Sequence, residues 1–306
     1  MFSNNTVSEF IFIGFPALYH YNSLLFVCLL IVYLLTIAGN LTICLLVKTD
    51  LRLHSPMYIF ISTLSFIEIF YTTATIPKML VNLLVENKTI SVRNCLLQTY
   101  FFHALGSCEC CLLTAMAYDR YLAICHPLHY SSIMTSTMTM RLVGSCFTLG
   151  FLLPLTEILL ISRLSFINNK LEHIFCDIPP LISLACGDTS INILADFVTN
   201  CFTVVVNFFL VMTSYFKIIM TVMKIKTSAG RMKAFSTCVS HLTVVLMFFT
   251  CALFMYIRLT KSYSLYFDRA VSILYSVVTP ILNPIIYSFR NQEIRLALKN
   301  RMCISY

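Results

Sequence analysis

Long apolar runs dominate the chain, and short polar segments separate them. Seven of these runs carry almost no charge over about 20 residues, the length that a helix needs to cross the hydrocarbon core of a bilayer. A transmembrane β-barrel would instead show segments of about ten residues with alternating polarity. The pattern therefore predicts an all-α membrane protein with a seven-helix bundle at 24–289, whose spans lie at about 24–47, 57–80, 95–121, 142–162, 197–220, 236–257 and 270–289.

The composition supports a membrane location. Hydrophobic residues make up 58% of the 306 residues and charged residues only 11%, whereas soluble domains carry about 25% charged residues. A water-soluble fold with so few charges would expose large apolar patches, and a chain this apolar does not remain disordered in water. The composition thus excludes both a water-soluble fold and a disordered chain.

The distribution of basic residues predicts the orientation. Of the 21 lysines and arginines, thirteen lie on the side that includes the carboxyl tail and eight on the other, with none in the first 23 residues. By the positive-inside rule, segment 1–23 lies outside the cell and the tail 290–306 lies in the cytoplasm, where its apolar and basic residues predict a short amphipathic helix on the membrane. The net charge of +8 therefore reflects topology, and no basic block indicates a nucleic-acid surface.

Two outer segments carry the Asn-x-Ser/Thr pattern that N-glycosylation requires. Asn4 is the acceptor in the amino terminus, and Asn87 is the acceptor in the short connection after the second span. We expect a glycan at Asn4, with Asn87 as a second candidate.

Two acidic residues lie near the middle of predicted spans, Glu68 in the second and Glu109 in the third. An ionisable group at this depth costs about 2.5–3.5 kcal/mol and usually faces the bundle interior. Each carboxyl group can be protonated and held by a neighbouring helix. If the two groups meet, they can also share a sodium ion or a proton. The residues alone leave both interpretations open.

Polar motifs also mark the ends of two spans. Asp119-Arg120-Tyr121 ends the third span, where an acid beside an arginine could form no more than an interfacial salt bridge. In the seventh span, Pro280 and Pro284 each remove a backbone hydrogen bond. Asn283 can pair with a freed carbonyl or bridge to another helix. A helix weakened in this way predicts a hinge.

The segment Met116–Tyr130, MAYDRYLAICHPLHY, resembles the signature of the olfactory receptors, a branch of the rhodopsin-like G-protein-coupled receptors. Four further motifs agree in order and spacing and extend the resemblance over essentially the whole chain: Gly39-Asn40, Pro56–Tyr58, Lys233–Leu242 and Pro280–Asn291. The resemblance implies an odorant receptor in the plasma membrane of olfactory cilia. Such a receptor activates a stimulatory G protein and raises cyclic AMP.

The resemblance also implies how such a receptor switches. Arg120 would be held by Asp119 at rest and released when the cytoplasmic ends of the third and sixth spans separate, so that the carboxyl-terminal helix of the G protein can enter. The residues matched to the switch are Asp119, Arg120, Tyr121, Tyr215, Asn283, Pro284 and Tyr287.

Two cysteines match a disulfide of the family, Cys95 at the outer end of the third span and Cys176 in the second outer loop. The family usually carries a second bridge within that loop. Cys186 matches one end of it, but Ile167 stands where the other cysteine is expected. The resemblance therefore leaves Cys186 without its usual partner.

The odorant pocket of the family lies in the outer half of the bundle, beneath the second outer loop. The matched residues would form an apolar chamber with a few hydrogen-bonding groups and without lysine or arginine. We therefore expect neutral alcohols, aldehydes, ketones or esters rather than carboxylates. The matched positions are Phe102, His103, Gly106, Ser107, Thr199, Asn200, Thr203, Phe249, Ala252 and Tyr256.

The resemblance further suggests a sodium site. Most rhodopsin-like receptors carry aspartate where Glu68 stands, and Glu109 matches an acid that can complete the site from the third span. We expect Glu68 and Glu109 to share a sodium ion or a proton, with Asn40 and Asn283 nearby. No other cofactor is implied.

Three other functions are alternatives. A chemoreceptor expressed outside the nose would use the same machinery for a non-odour metabolite. A transporter or channel would call for repeat symmetry or a polar path through the bilayer, and the chain has neither. An intramembrane enzyme would need a nucleophile–base pair or metal ligands, which His241 and the scattered cysteines do not form. We therefore expect a receptor without enzymatic activity.

Overall fold

Apolar helices account for most of the protein. A computed structural model describes residues 7–256 and 265–304, with their side chains except at 229, 233–237, 240, 265–266, 289–290, 292 and 302–304. The helices in these ranges are α1 (Asn22–Thr49), α2 (Pro56–Leu84), α3 (Val92–Cys125), α4 (Pro127–Ile133), α5 (Ser136–Ile161), α6 (Ile178–Ser183), α7 (Ser190–Asn200), α8 (Asn207–Met223), α9 (Ser228–Tyr256), α10 (Leu265–Ile273), α11 (Thr279–Arg290) and α12 (Gln292–Ile304).

These helices form the predicted seven-span bundle. The spans in order are α1, α2, α3, α5, α7 with α8, α9, and α10 with α11. Within the described ranges, six helical segments are long and apolar enough to cross a membrane, and α9 contributes the shorter apolar stretch His241–Tyr256. In the fifth and seventh spans, the π-helical segments Cys201–Val206 and Leu274–Val278 join the two helices.

The helices begin and end at residues that satisfy the backbone. Pro56 opens α2, where the missing N–H of proline costs nothing. The Ser91 hydroxyl accepts a hydrogen bond from the Asn94 N–H at 3.3 Å at the start of α3. Helix α7 begins at Ser190, although the predicted fifth span begins at 197. Its first turns therefore extend the helix beyond the predicted apolar run.

Helix α3 is the centre of the bundle. It packs most extensively against α5, α8 and α2. At one contact between α3 and α5, a Cβ added to Gly150 would overlap Cys108, and it would lie 2.7 Å from the Cys108 backbone nitrogen. Only glycine therefore allows this close approach, and it brings α5 near the part of α3 that contains the predicted pocket.

We call the end of the bundle that carries the amino terminus the outer end. Among the described residues, five short strands lie there: β1 (Glu9–Phe12), β2 (Thr89–Ser91), β3 (Ser165–Phe166), β4 (Lys170–Leu171) and β5 (Ala185–Cys186). Strand β1 pairs antiparallel with β2 and parallel with β4, and β3 pairs antiparallel with β5. The strands hold the amino-terminal segment and the loop 162–189 over the helix ends.

A disulfide between Cys95 and Cys176 fastens this loop to the start of α3, as the resemblance implied, with the two Cα atoms 5.5 Å apart. Around it lies a second apolar core that includes Phe10, Ile161 and Leu181. Cys186 is a free, exposed thiol. The candidate glycosylation site Asn4 lies outside the described residues, and Asn87 is exposed in the connection between α2 and β2.

The carboxyl tail forms the expected helix, α12. Ile294 and Ala297 are buried, whereas Arg295, Leu296 and Lys299 are exposed. The buried side faces α11 and α1, with which α12 packs. The tail is thus amphipathic, and part of its apolar face packs on the bundle itself.

Candidate functional site

An aromatic cluster lies at the outer end of α3 and includes one predicted pocket residue, Phe102. The Phe102 ring stacks on Tyr71 of α2 at 4.9 Å between ring centroids and contacts Phe175 of the loop at 4.8 Å. Tyr275, in the seventh span, contacts both Tyr71 and Phe102. A Cβ added to Gly106 would lie 3.1 Å from the Tyr275 hydroxyl. Gly106 therefore leaves room for Tyr275 beside α3.

His103 is the polar centre of the same region. Its Nε2 lies 2.8 Å from Oδ1 of Asp177 in the loop, and both side chains are nearly inaccessible to solvent, at 9% and 1% exposed. The ring of Tyr256 lies 5.5 Å from the His103 ring. Burial acts to raise the pKa of Asp177, but the hydrogen bond and charge of His103 outweigh it and hold that pKa below its usual value. The pair joins α3 to the loop.

A third contact joins the loop to the seventh span. His173 lies with its Nε2 3.0 Å from the Ser272 hydroxyl and its Nδ1 3.0 Å from the Phe175 carbonyl oxygen. Burial lowers the pKa of His173, so the ring is neutral at physiological pH. Arg269 donates to the Glu172 carbonyl at 3.1 Å. The loop is therefore held over the bundle at both α3 and α10.

The side of the region formed by α5 and α7 is acidic. Glu157 of α5 is 3% exposed. It lies close to the predicted pocket residue Thr199 and interacts electrostatically with His103, Asp196 and Asp177. Its Oε1 atom has no hydrogen-bond partner among the described residues. This oxygen can accept a hydrogen bond from a ligand.

Two more predicted residues follow along the fifth span. The amide nitrogen of Asn200 donates to Oδ1 of Asp196 at 2.8 Å. Thr203 is buried in the π-helical segment, and its hydroxyl has no partner within the described ranges. π-Helical turns occur often at functional sites. The fifth span therefore contributes to the interior a hydroxyl group that the described part of the protein leaves unpaired.

The remaining predicted residues lie in the core. Phe249 contacts Phe208 and Phe248 at 5.9 and 5.5 Å between ring centroids. Ser107 and Ala252 are buried, at 7% and 1% exposed. Ring contacts and close packing thus group Phe102, His103, Gly106 and Tyr256 around Tyr275, and Phe248 links Phe249 to the same tyrosine.

A second polar site lies in the middle of the bundle. The Asn283 amide donates a hydrogen bond to Glu68, and the carboxyl groups of Glu68 and Glu109 lie close enough to interact, so that the two acids meet. Asn40 donates to the Pro280 carbonyl at 3.4 Å. Four buried oxygens have no partner among the described residues: Oε2 of Glu68, Oε1 of Glu109 and the Oδ1 atoms of Asn40 and Asn283. Such a set of oxygens fits a sodium ion or a shared proton.

A third site lies at the opposite end of α3. Arg120 forms an ion pair with Asp119, and the two side chains are 13% and 0% exposed. The Tyr130 hydroxyl donates to the other carboxylate oxygen of Asp119 at 2.7 Å. Asp119 thus restrains Arg120 within the bundle.

Tyrosines surround this ion pair. The Tyr215 hydroxyl is hydrogen bonded to Nδ1 of His241 at 2.6 Å, whereas the buried hydroxyl of Tyr287 has no partner within the described ranges. Tyr121 is hydrogen bonded to His126 at 2.9 Å, and the Lys217 ammonium lies 5.4 Å from its ring centroid. Pro284 packs closely on α1 at Gly39, where an added Cβ would lie 3.2 Å from the proline ring.

Comparison with known proteins identifies the family. The family model described as olfactory receptor matches residues 28–304. The chain is 56% identical to human olfactory receptor 6N1 over 297 residues, and this aligned region covers 97% of this chain and 95% of that protein. It is 48% identical over 303 residues to human olfactory receptor 6K2, covering 98% of this chain and 93% of the relative. The chain belongs to the olfactory receptor family.

A relative from another species agrees with this assignment. The chain is 42% identical to rat olfactory receptor 226 over 301 residues, and this aligned region covers 97% of this chain and 92% of that receptor. Membership makes the protein a multi-pass membrane receptor of the G-protein-coupled class, built to respond to small odorant molecules. The olfactory receptors are a receptor family rather than an enzyme class.

The structure places further residues around the candidate pocket of this olfactory receptor, which the sequence interpretation missed. They are Tyr71, Glu157, Phe175, Asp177 and Tyr275. Glu157 carried a signal, because an acid within an apolar span usually faces the interior. Asp177 follows the loop cysteine directly. The two tyrosines and Phe175 carried none, since aromatic residues are common throughout these spans.

Proposed function

We propose that this olfactory receptor binds a small, neutral, partly polar odorant in the outer half of the bundle. The observation that supports the proposal best is the His103–Asp177 pair, since it links a predicted pocket residue on α3 to the loop at 2.8 Å. Tyr256 of α9 contacts the same imidazole. A ligand that touches His103 would thus be sensed by α3, by α9 and by the loop.

Two polar groups that have no partner in the described part of the protein favour one of the expected ligand classes. Oε1 of Glu157 accepts hydrogen bonds, and the Thr203 hydroxyl both donates and accepts. An alcohol donates and accepts as well, whereas an ester or ketone only accepts. Carboxylates are disfavoured, because the Asp177 carboxylate lies 2.8 Å from His103 and would repel a second carboxylate there. We therefore propose that alcohols are the preferred odorants.

The transduction step follows from the same assignment. The proposed receptor activates a stimulatory, olfactory-type G protein and raises cyclic AMP, in the ciliary membrane of olfactory neurons. The state in which Asp119 holds Arg120 would be the resting one. An odorant shifts the equilibrium only by binding the active state more tightly.

Cyclic AMP accumulation in cells that express the full chain, exposed to an odorant panel, tests this proposal. With an alcohol that activates the wild type, we expect His103→Ala and Asn200→Ala to raise the half-maximal concentration about tenfold, the value of one lost hydrogen bond. His54→Ala, at an exposed position, is the matched control. Normal responses from both pocket variants at normal surface expression would contradict the pocket assignment.

A further variant separates two roles of His103. His103→Gln keeps an N–H group that can donate to Asp177 and therefore preserves the loop contact. If His103 contacts the odorant, this variant retains surface expression but still loses potency. If His103 only anchors the loop, the variant responds like the wild type.

We also propose that Glu68 and Glu109 hold a sodium ion or share a proton that modulates this receptor. Glu68→Gln removes the ionisable carboxyl group while keeping the hydrogen-bonding shape. We expect it to change basal cyclic AMP and to abolish the effect of external sodium on odorant potency. Glu86→Gln, at an exposed position, is the control. Unchanged basal signalling and unchanged sodium sensitivity in Glu68→Gln would rule out this site.

A further inference from the structure

A cavity lies at the outer end of the bundle, away from the residues of the proposed odorant pocket. Its volume is about 410 Å³, and α1, α2, the seventh span, the amino-terminal segment and the loop residue Ile174 surround it. It shares none of the ten predicted pocket residues. Cavities of about 300–1,000 Å³ accommodate small organic molecules. The space is therefore large enough for a ligand of its own.

The wall of this cavity is almost entirely apolar. Phe15 and Met79 are representative of its lining, and among the described residues that form it the polar side chains are those of Asn22, Asn82 and Lys88. The Lys88 ammonium lies 5.9 Å from the centroid of the Tyr19 ring. Such a wall favours an apolar molecule with one small polar group.

Asn82 specifies that polar group. Its side chain lines the cavity and is only 7% exposed. Neither its amide nitrogen nor its amide oxygen has a hydrogen-bond partner among the described residues. A buried donor or acceptor without a partner is destabilising, because it has lost its hydrogen bonds to water. A ligand that satisfies both atoms would remove this penalty.

A hydroxyl group matches both atoms of the Asn82 amide. It donates to the amide oxygen and accepts from the amide nitrogen. A carboxylate only accepts and would leave the amide oxygen unpaired. An ammonium group only donates and would leave the amide nitrogen unpaired, and it would also face Lys88. The chemistry of the wall therefore selects an alcohol.

The cavity can be reached from the bilayer. Cys28 lines it and is exposed on α1. Its neighbours on that helix, Leu24, Val27 and Ile31, are exposed apolar residues of the kind that face lipid. An apolar alcohol dissolved in the outer leaflet would thus approach along this side of α1.

We propose that this cavity is a second ligand site, which binds an apolar molecule through a single hydroxyl group paired with Asn82. The ligand would pack between α1 and the seventh span. Ile174 precedes Phe175 of the aromatic cluster, and Val277 lies in the same π-helical segment as Tyr275. Occupancy would therefore stabilise elements that also border the odorant pocket. The alcohol is either a membrane sterol or a smaller aliphatic alcohol from outside the cell.

Photolabelling of the purified full chain in lipid nanodiscs tests the site. The probes are a diazirine-bearing aliphatic alcohol, its alkane analogue without the hydroxyl, a diazirine sterol and a diazirine fatty acid. We expect the hydroxyl probes to label peptides that line the cavity with at least threefold higher affinity than the alkane. Labelling by the sterol identifies a bilayer ligand, and labelling by the aliphatic alcohol alone identifies an external one.

Variants locate the binding determinants. Asn82→Leu is expected to weaken alcohol binding by about tenfold or more, the value of at least one lost hydrogen bond, and to leave alkane binding unchanged. Val32→Phe fills the cavity and is expected to weaken both probes at least tenfold. Val27→Phe, on the exposed side of the same helix, is the matched control for Val32→Phe.

Two outcomes would overturn the proposal. One is equal labelling of the wild type by the alcohol and alkane probes, or stronger labelling by the fatty acid. The other is labelling at peptides away from the cavity, or alcohol affinity that Asn82→Leu does not change. If a variant does not fold, unlabelled alcohol is added as a competitor to the wild type, and its effect on labelling by the alcohol probe and by the alkane probe distinguishes the same outcomes. Because the readout is binding alone, the proposal of this site is tested independently of odorant signalling.

Discussion

Cells that express Arg120→Ala are expected to show no odorant-evoked rise in cyclic AMP. The proposed active state presents Arg120 to the G protein, and alanine has no group that can replace the guanidinium. The variant should also be less stable, because it leaves the Asp119 carboxylate buried without the cation that pairs with it. Removing one partner of a buried ion pair typically costs about 3–5 kcal/mol.

A matched ion pair elsewhere controls for the loss of charge. Arg52 pairs with Asp50 at 2.7 Å, but the Arg52 side chain is 58% exposed. Solvent screens such a pair, so we expect Arg52→Ala to keep wild-type thermal stability and signalling. Both variants would be compared by thermal unfolding in detergent and by cyclic AMP accumulation. An odorant response in Arg120→Ala equal to that of Arg52→Ala would refute the assigned role of Arg120.

The second large effect is expected for the disulfide. Cys95→Ser should lower the unfolding free energy by about 2–5 kcal/mol and remove most of the receptor from the cell surface, because the bridge closes a long loop. The two cysteines are 81 residues apart in sequence. Without the bridge, the loop keeps only its non-covalent contacts, which include the His103–Asp177 pair and the pairing of β1 with β4.

Two further variants make this result specific. Cys186→Ser changes a free, exposed thiol in the same loop, and we expect it to behave like the wild type. The double variant Cys95→Ser/Cys176→Ser should be no less stable than either single variant, because both changes break the same bond. Thermal unfolding and surface labelling measure these effects. Equal destabilisation by Cys186→Ser and Cys95→Ser would argue against the assigned pairing.

The membrane spans could be predicted because their cause is local. A helix satisfies its own backbone hydrogen bonds, so about 20 apolar residues are enough to define a span. Even Glu68 and Glu109 could be placed near mid-span from sequence position. The strands at the outer end could not be predicted. Strand β4 is only two residues long, and its partner β1 lies far away in sequence, in the amino-terminal segment. No local pattern marks such a pairing.

In the candidate pocket, too, some residues could be predicted from the sequence and others could not. His103, Phe102 and Tyr256 were identified through their match to family positions, yet Asp177 was not, although it is the hydrogen-bond partner of His103. Helical periodicity places a residue on a face of its own helix and leaves its partner on another element undefined. The disulfide next to Asp177 fixes the loop path and thereby selects this partner.

Amino-acid order alone accounts for the seven spans and the family of this receptor, and it predicts the orientation of the spans. Each of these depends on apolar length, charge counts or contiguous motifs. Folding in three dimensions was needed to bring Glu68 against Glu109 and to place Glu157 near His103. It was also needed to line a cavity with Asn82, whose amide has no partner among the described residues. These contacts join residues from different helices, and their geometry depends on how the helices rotate and pack, as where Gly150 allows α5 to approach Cys108.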